Sequence, residues 1–201
     1  KKFRDDKIEL TDRLMEKLLS HFSFYPLDSE DSDLKKFLKI NKDLRRENHQ
    51  TLYQLKDKTG PEKLWDGVWL SHWNGQTMAR FADHRHYYYK RQKVDDQVHL
   101  GVDLASLANA PVQASNNGKV IFADRLGIYG LTVVIDHGQG LASVYGHLSR
   151  IDVVPGQDVN KGQTIGLTGD TGLAVGDHLH FSVMLQGIFV NPVEWWDQHW
   201  I

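Results

Sequence analysis

The chain has 201 residues, 40% hydrophobic and 10% aromatic, which is enough for one well-packed domain and an appendage. Its 24 basic and 26 acidic residues leave a net charge of −2, which argues against a nucleic-acid partner, because that recognition favours a clustered basic face. Cysteine is absent, so disulfides and thiolate metal ligands are excluded, and no apolar run reaches the roughly 20 residues that cross a bilayer.

The first 60 residues are charged and helical in pattern. Leu10, Leu14, Met15, Leu18, Leu19 and Phe22 recur at three- and four-residue intervals, predicting an amphipathic helix over residues 8–22. Asp31 or Ser32 offers an N-cap for a second helix with Leu34, Phe37, Leu38, Leu44, Leu52 and Leu55 along one side. Run unbroken to Lys58, that helix would be roughly 40 Å long at 1.5 Å per residue. Gly60-Pro61 then breaks it. Residues 1–64 therefore read as a helical arm or linker, and residues 65–201 as a separate unit against which its apolar stripes pack. Control of access to a cleft is the functional alternative for the arm. A start at Lys1 is compatible with a signal or membrane anchor upstream.

From Trp65 onward the texture becomes β. Trp65, Trp69 and Trp73 open this region and Trp195, Trp196 and Trp200 close it, so the two ends are expected to meet and bury their rings, with a glycan-stacking surface as the alternative. His84-Arg85-His86 lies in a polar, aromatic stretch from Asp83 to Arg91 that shows no strand alternation and is assigned to a cleft lining or the surface. Strands are expected at 119–122, 131–135, 142–145 and 179–185, separated by glycine turns at Gly127, Gly130, Gly138 and Gly140. Residues 153–159 and 161–166 read as a tight hairpin, and Asn191-Pro192 as a turn into the closing segment. The fold class is mainly β, an antiparallel sandwich preceded by an α-helical segment.

Chemistry concentrates in three short stretches of this β region: His99-Leu-Gly-Val-Asp103, Tyr145-Gly-His147-Leu-Ser149 and His178-Leu-His180-Phe181. A catalytic zinc site holds three protein ligands and leaves one position open, whereas a structural site closes four. Two imidazoles and one carboxylate fill three positions, and two histidines remain for proton chemistry. His178 and His180, two apart on a strand, share a face roughly 6–7 Å along it, so one is a ligand and the other stands beside the metal. His99 and Asp103 share a face if the chain is extended or turns at Gly101. His-Glu-x-x-His is absent, so histidines must supply the base. Of the other histidines, His137 reads as structural or as a partner of a ligand, while His21, His49, His72 and His199 carry no argument beyond solvation.

These stretches, with Ala114-Ser115-Asn116-Asn117-Gly118-Lys119-Val120, Val133-Val134-Ile135-Asp136-His137-Gly138 and Gly166-Leu167-Thr168-Gly169-Asp170-Thr171-Gly172, resemble the M23 (LytM/lysostaphin-type) zinc metallopeptidases, from about Trp65 to Ile201. The resemblance implies one zinc on His99, Asp103 and His180, with His147 and His178 as the catalytic histidines that do not coordinate it. It also implies a cell-envelope endopeptidase, periplasmic or extracellular, that cuts peptidoglycan peptides. Two other readings stand beside it. One is a catalytically silent peptidoglycan-binding scaffold or hydrolase activator, which would be expected to have lost ligands or base. The other is a lipoyl- or biotinyl-carrier module, for which Lys161 lacks the carrier setting.

Overall fold

The first turn of the chain's first helix shows where local pattern yields to tertiary pairing. Thr11 is extended and its hydroxyl accepts from the Leu14 N–H, so the helix α1 begins at Asp12 and runs to Leu19, followed by a 3₁₀ turn at Ser20–Phe22. Upstream of that cap the expected helix is replaced by a strand, β1 (Asp5–Leu10), because the His84–Tyr89 strand has an open edge that takes it up in parallel register. The apolar spacing of residues 8–22 is thus shared between a strand end and a helix. The computed structural model describes residues 3–201.

Ser32, rather than Asp31, caps the second helix, α2 (Asp33–Lys39). A π turn at Ile40–Leu44 joins it without a break to α3 (Arg45–Gln54), and a 3₁₀ turn ends the run at Lys58. The π turn re-phases the helix so that Ile40, Asn41 and Leu44 are all buried.

The remaining strands follow in chain order. They are β2 (Gln76–Ala79), β3 (His84–Tyr89), β4 (Gln92–Val98), β5 (Val102–Ala105), β6 (Pro111–Gln113) and β7 (Gly118–Arg125). After these come β8 (Leu131–Asp136), β9 (Leu141–Leu148), β10 (Arg150–Ile151) and β11 (Asp158–Val159). The last are β12 (Thr164–Leu167), β13 (Leu179–Leu185) and β14 (Ile188–Val190). The main sheet is ordered β11-β7-β8-β9-β13-β5-β2 with β14 beside β13, and its described pairings are antiparallel. Two three-stranded sheets, β1-β3-β4 and β10-β12-β6, flank it. The fold is mainly β, with a helical segment at its N-terminus.

Two expectations need correction. Within the Asp83–Arg91 stretch, His84–Tyr89 is a strand, β3, paired along one edge with β1 and hairpinned along the other to β4; Tyr87 alone of its side chains is buried, against Phe37, and the rest are partly or fully exposed. Residues 153–166 do not form a hairpin of their own. β11 joins β7 while β12 joins β6 and β10, so each short segment extends a different sheet.

Both faces of the main sheet are covered, which is why all eight residues of β9 are buried. One face packs Val102, Leu104, Val133, Ile135, Tyr145, Phe181 and Val183 into a core that Trp69 enters and Trp65, Trp195 and Trp196 border. Trp69 and Trp195 rings lie 5.1 Å apart, so the two ends of the β region do meet there, while Trp73 and Trp200 stay exposed. The opposite face packs Val134, Val144 and Met184 against Ile40, Leu44, Leu52 and Leu55 of the helices. Helices, β3 and the centre of the sheet converge at the ends of β9 and β13, where the histidines lie.

Candidate metal centre

β13 starts at Leu179 and pairs His180 with Asp103 of β5 on one side and with Gly146 of β9 on the other. The chain bends at Gly101 to bring His99 back over the same spot. A side chain there would force its neighbours to shift, since a Cβ would lie 2.5 Å from Ser182 Oγ and 2.7 Å from His180 Cε1. His99, Asp103 and His180 are all buried, and their facing atoms form a small triangle. His99 Nε2 is 3.0 Å from Asp103 Oδ1 and 3.1 Å from His180 Nδ1, and His180 Nδ1 is 2.9 Å from Asp103 Oδ1.

The far nitrogens settle which atoms carry protons. His99 Nδ1–H donates to the Arg80 carbonyl at 2.9 Å. His180 Nε2–H donates to Ser182 Oγ at 2.9 Å, and Ser182 in turn donates to the Leu100 carbonyl. With those hydrogens committed, neutral rings turn two lone pairs and a carboxylate oxygen toward one point, an arrangement that repels itself unless a cation sits between. Ligand atoms about 2.0–2.2 Å from a tetrahedral zinc stand roughly 3.3–3.6 Å apart, so the triangle needs to open by only a few tenths of an ångström to hold a zinc-sized ion. The donor set therefore fits the metal implied by the sequence.

The two further histidines flank this triangle. His147 sits near the end of β9 with φ 62°, a left-handed conformation that a bulky residue keeps only when its surroundings enforce it. The enforcing group is Thr171. Its carbonyl accepts from His147 Nδ1–H at 2.7 Å, and its hydroxyl donates to Leu148 O and accepts from Leu131 N–H. His178 lies just before β13, where Nδ1–H donates to Gly176 O at 2.7 Å and Nε2 stands 3.6 Å from Asp103 Oδ1. The two rings are 4.8 Å apart; His147 Nδ1 and His178 Nδ1 are both tied to backbone carbonyls, and His178 Nε2 faces Asp103.

Burial and charge set the protonation preferences of the cluster. Burial opposes ionisation of Asp103, but the surrounding histidines outweigh it and hold its carboxyl well below the usual carboxylate range. Burial pushes His180 down to about 4, against the pull of Asp103. Burial, then the neighbouring His178 and His180, lower His147 far below the ordinary imidazole range. His178 is also penalised by burial, yet its hydrogen bond and charge interaction with Asp103 leave it raised.

The structure thus brings together all five side chains singled out from sequence, and adds three that were not. Arg85 donates to Asp103 Oδ2 at 2.6 Å. The Tyr129 ring lies 5.3 Å from that of His180. His49, assigned above to solvation alone, reaches from α3 to within 6.1 Å of the Tyr129 ring, and burial followed by the Arg45 charge lowers it to about 4. With Arg45 it helps line a chamber of about 30 Å³ beside His99, His147 and His180, room for little more than a water. A larger cleft of about 470 Å³ opens on the other side, over Asp103, His147 and His178, walled by β1 and α1. His137 lies outside the site. It donates from Nδ1 to Asn117 O and bonds through Nε2 to Ser143 Oγ, under the Trp69 ring.

The description "Peptidase family M23" matches residues 97–192, the span that holds all five of these side chains. Residues 97–192 form a peptidase family M23 domain. That M23 domain is 40% identical over 97 residues to the DD-carboxypeptidase/endopeptidase Mpg of Neisseria meningitidis, covering 48% of this chain and 22% of that protein. It is 39% identical over 95 residues to the murein hydrolase activator EnvC of Escherichia coli, covering 47% of this chain and 23% of the activator. A crystal structure of a zinc containing peptidase from Vibrio cholerae superposes with a TM-score of 0.55 at 32% identity, over 65% of this chain and 39% of that one. The likeness to the two curated relatives spans less than a quarter of their length.

Proposed function

We propose that this chain is a zinc-dependent endopeptidase that hydrolyses peptide bonds in peptidoglycan stem peptides or crossbridges, in the cell envelope. The observation that carries the reading is the buried triangle of facing ligand atoms on His99, Asp103 and His180, flanked by two imidazoles anchored through Nδ1 to backbone carbonyls. The relative named DD-carboxypeptidase/endopeptidase and the neighbour titled a zinc containing peptidase support it. No helix of the described residues is long and apolar enough to cross a membrane.

His99, Asp103 and His180 would hold one zinc. When bound, zinc supplies Lewis-acid polarisation of the scissile carbonyl and makes water more acidic. The rest falls to the chain. His147 and His178, anchored through Nδ1 to backbone carbonyls, present Nε2 to the reacting atoms. One takes the proton of the attacking water and one delivers a proton to the departing amine. A protonated imidazole beside the developing oxyanion stabilises it. Burial of the cluster excludes bulk water, so these interactions act in a low dielectric.

A second reading, a silent scaffold or hydrolase activator, is favoured by the relative named EnvC. The two readings separate on the histidines that do not coordinate metal. His147→Ala and His178→Ala should each keep about one zinc per chain, while peptidoglycan cleavage falls by the 10²–10⁴-fold typical of general acid–base groups. Parent-like cleavage in both variants would remove these roles. A zinc-loaded parent that releases no fragment from any peptidoglycan, read by mass spectrometry, would hand the molecule to the scaffold reading.

A further inference from the structure

Asp103 uses its two oxygens differently. Oδ1 faces His99 Nε2, His180 Nδ1 and, at 3.6 Å, His178 Nε2. Oδ2 faces away from that triangle and accepts from the Arg85 guanidinium at 2.6 Å. The Arg85 side chain is only 23% exposed, so this bond is shielded from water.

Arg85 is held for this contact by the sheet around it. It sits in β3 between Asp6 of β1 and Gln97 of β4 in register. Asp6, the nearest competing carboxylate in that register, is engaged by Arg4 Nε at 2.5 Å. The guanidinium is therefore left to Asp103, and it lines both the small chamber beside His180 and the large cleft over His147 and His178.

A carboxylate can offer a metal one oxygen or two. With Oδ2 occupied by a charge-assisted hydrogen bond, rotation that would bring both oxygens toward the metal means breaking that bond in a buried site. Three single-atom ligands leave a tetrahedral ion one position for water or substrate, whereas a two-oxygen carboxylate would take it up. We propose that Arg85 is a positioning residue that fixes Asp103 as a one-oxygen ligand and so keeps the metal's reactive position open. The proposal rests on the zinc reading above, and it couples the metal site to the N-terminal strand that completes the sheet of Arg85.

The test substitutes cobalt for zinc and reads the visible absorption, whose intensity and position follow coordination number. The full chain is compared with Arg85→Met, which keeps bulk without a donor, and Arg85→Lys, which keeps a charged donor. The expected result is a parent-like spectrum for Arg85→Lys and a changed one for Arg85→Met. Outer-shell partners of metal ligands typically contribute 10–100-fold, so kcat of Arg85→Met should fall within that range with KM nearly unchanged. Parent spectrum, parent metal affinity and parent kcat in Arg85→Met would overturn the proposal and leave Arg85 as a tie between β3 and β5. Circular dichroism and melting temperature report folding; if Arg85→Met does not fold, Arg85→Gln carries the same comparison, and an unchanged cobalt spectrum there overturns it equally. A parent that binds neither cobalt nor zinc overturns both this role and the zinc reading. A parent that binds metal without cleaving peptidoglycan removes the hydrolase reading alone, and the spectra still decide for Arg85.

Discussion

At the scale of single residues, the candidate site rests on hydrogen bonds that fix tautomers. Replacing His99, Asp103 or His180 by Ala should remove most bound zinc, because each leaves two ligand atoms, while the fold survives on its separate cores. Elemental analysis of the three variants checks this, and full zinc occupancy in all of them would sink the ligand assignment. The five side chains were legible because three short histidine- and aspartate-bearing stretches match a family pattern; only His180 lies within a strand expected from sequence. Arg85 was not, since a cation between two histidines in an aromatic stretch carries no local sign of which carboxylate it will meet 18 residues away. His137 yields a pH prediction. Burial lowers it to about 4 from an ordinary 6.5, so the folded chain holds it neutral while the unfolded chain takes up a proton first. Its stabilising contribution is complete above pH 6.5 and is lost as pH falls toward 4, on the order of 3 kcal/mol over the whole range. The melting temperature should fall between pH 7 and pH 5, and fall less in His137→Gln. An identical pH dependence in both proteins would show that His137 is protonated without cost.

Elements were legible where pattern and environment agree and illegible where a neighbour overrode the pattern. The strand predicted at 179–185 is β13 to the residue, because its alternation is framed by His178 before and the Gln186-Gly187 turn after. Residues 5–10 became a strand because β3 offers unpaired backbone groups, which helical spacing cannot report. β8 and β9 read shorter from sequence than they are, since both faces are buried and polar residues such as Ser143 find partners inside. The close approach of the chain entering β5 to β13 depends on Gly101, whose missing Cβ lets Ser182 and His180 come near. Gly101→Ala should cost about 1–3 kcal/mol of overpacking, lower the melting temperature by several degrees and weaken zinc binding through His180. Gly176→Ala is the control, because nothing lies within 4 Å of its added methyl and no shift is expected. A Gly101→Ala protein with parent melting temperature and parent zinc content would mean that this approach is looser than its distances.

At the scale of the whole molecule, the division into a helical arm of residues 1–64 and a catalytic unit of residues 65–201 is best treated as a functional proposal about access. The arm is fastened by specific contacts. Asn48 Oδ1 accepts from Ile128 N–H, Asn41 Nδ2 donates to Asp95, and Lys17 Nζ donates to Val175 O in the segment before His178. A Cβ on Gly127 would lie 2.2 Å from Asn48 Oδ1, so the helix sits directly on the turn that carries Tyr129. Arg45 and His49 roof the small chamber, which at about 30 Å³ admits no peptide, so the arm as docked closes that side of the site. Deleting the arm would expose Val134, Val144 and Met184 and the edge of β3, confusing access with stability. Arg45→Ala combined with His49→Ala opens the roof and leaves the apolar contacts in place. If the arm limits access, this variant should cleave polymeric peptidoglycan several-fold faster than the parent and gain less on a short soluble peptide. Unchanged or slower cleavage at an unchanged melting temperature would make the arm a packing element, with the 470 Å³ cleft under β1 and α1 as a sufficient route to His147 and His178.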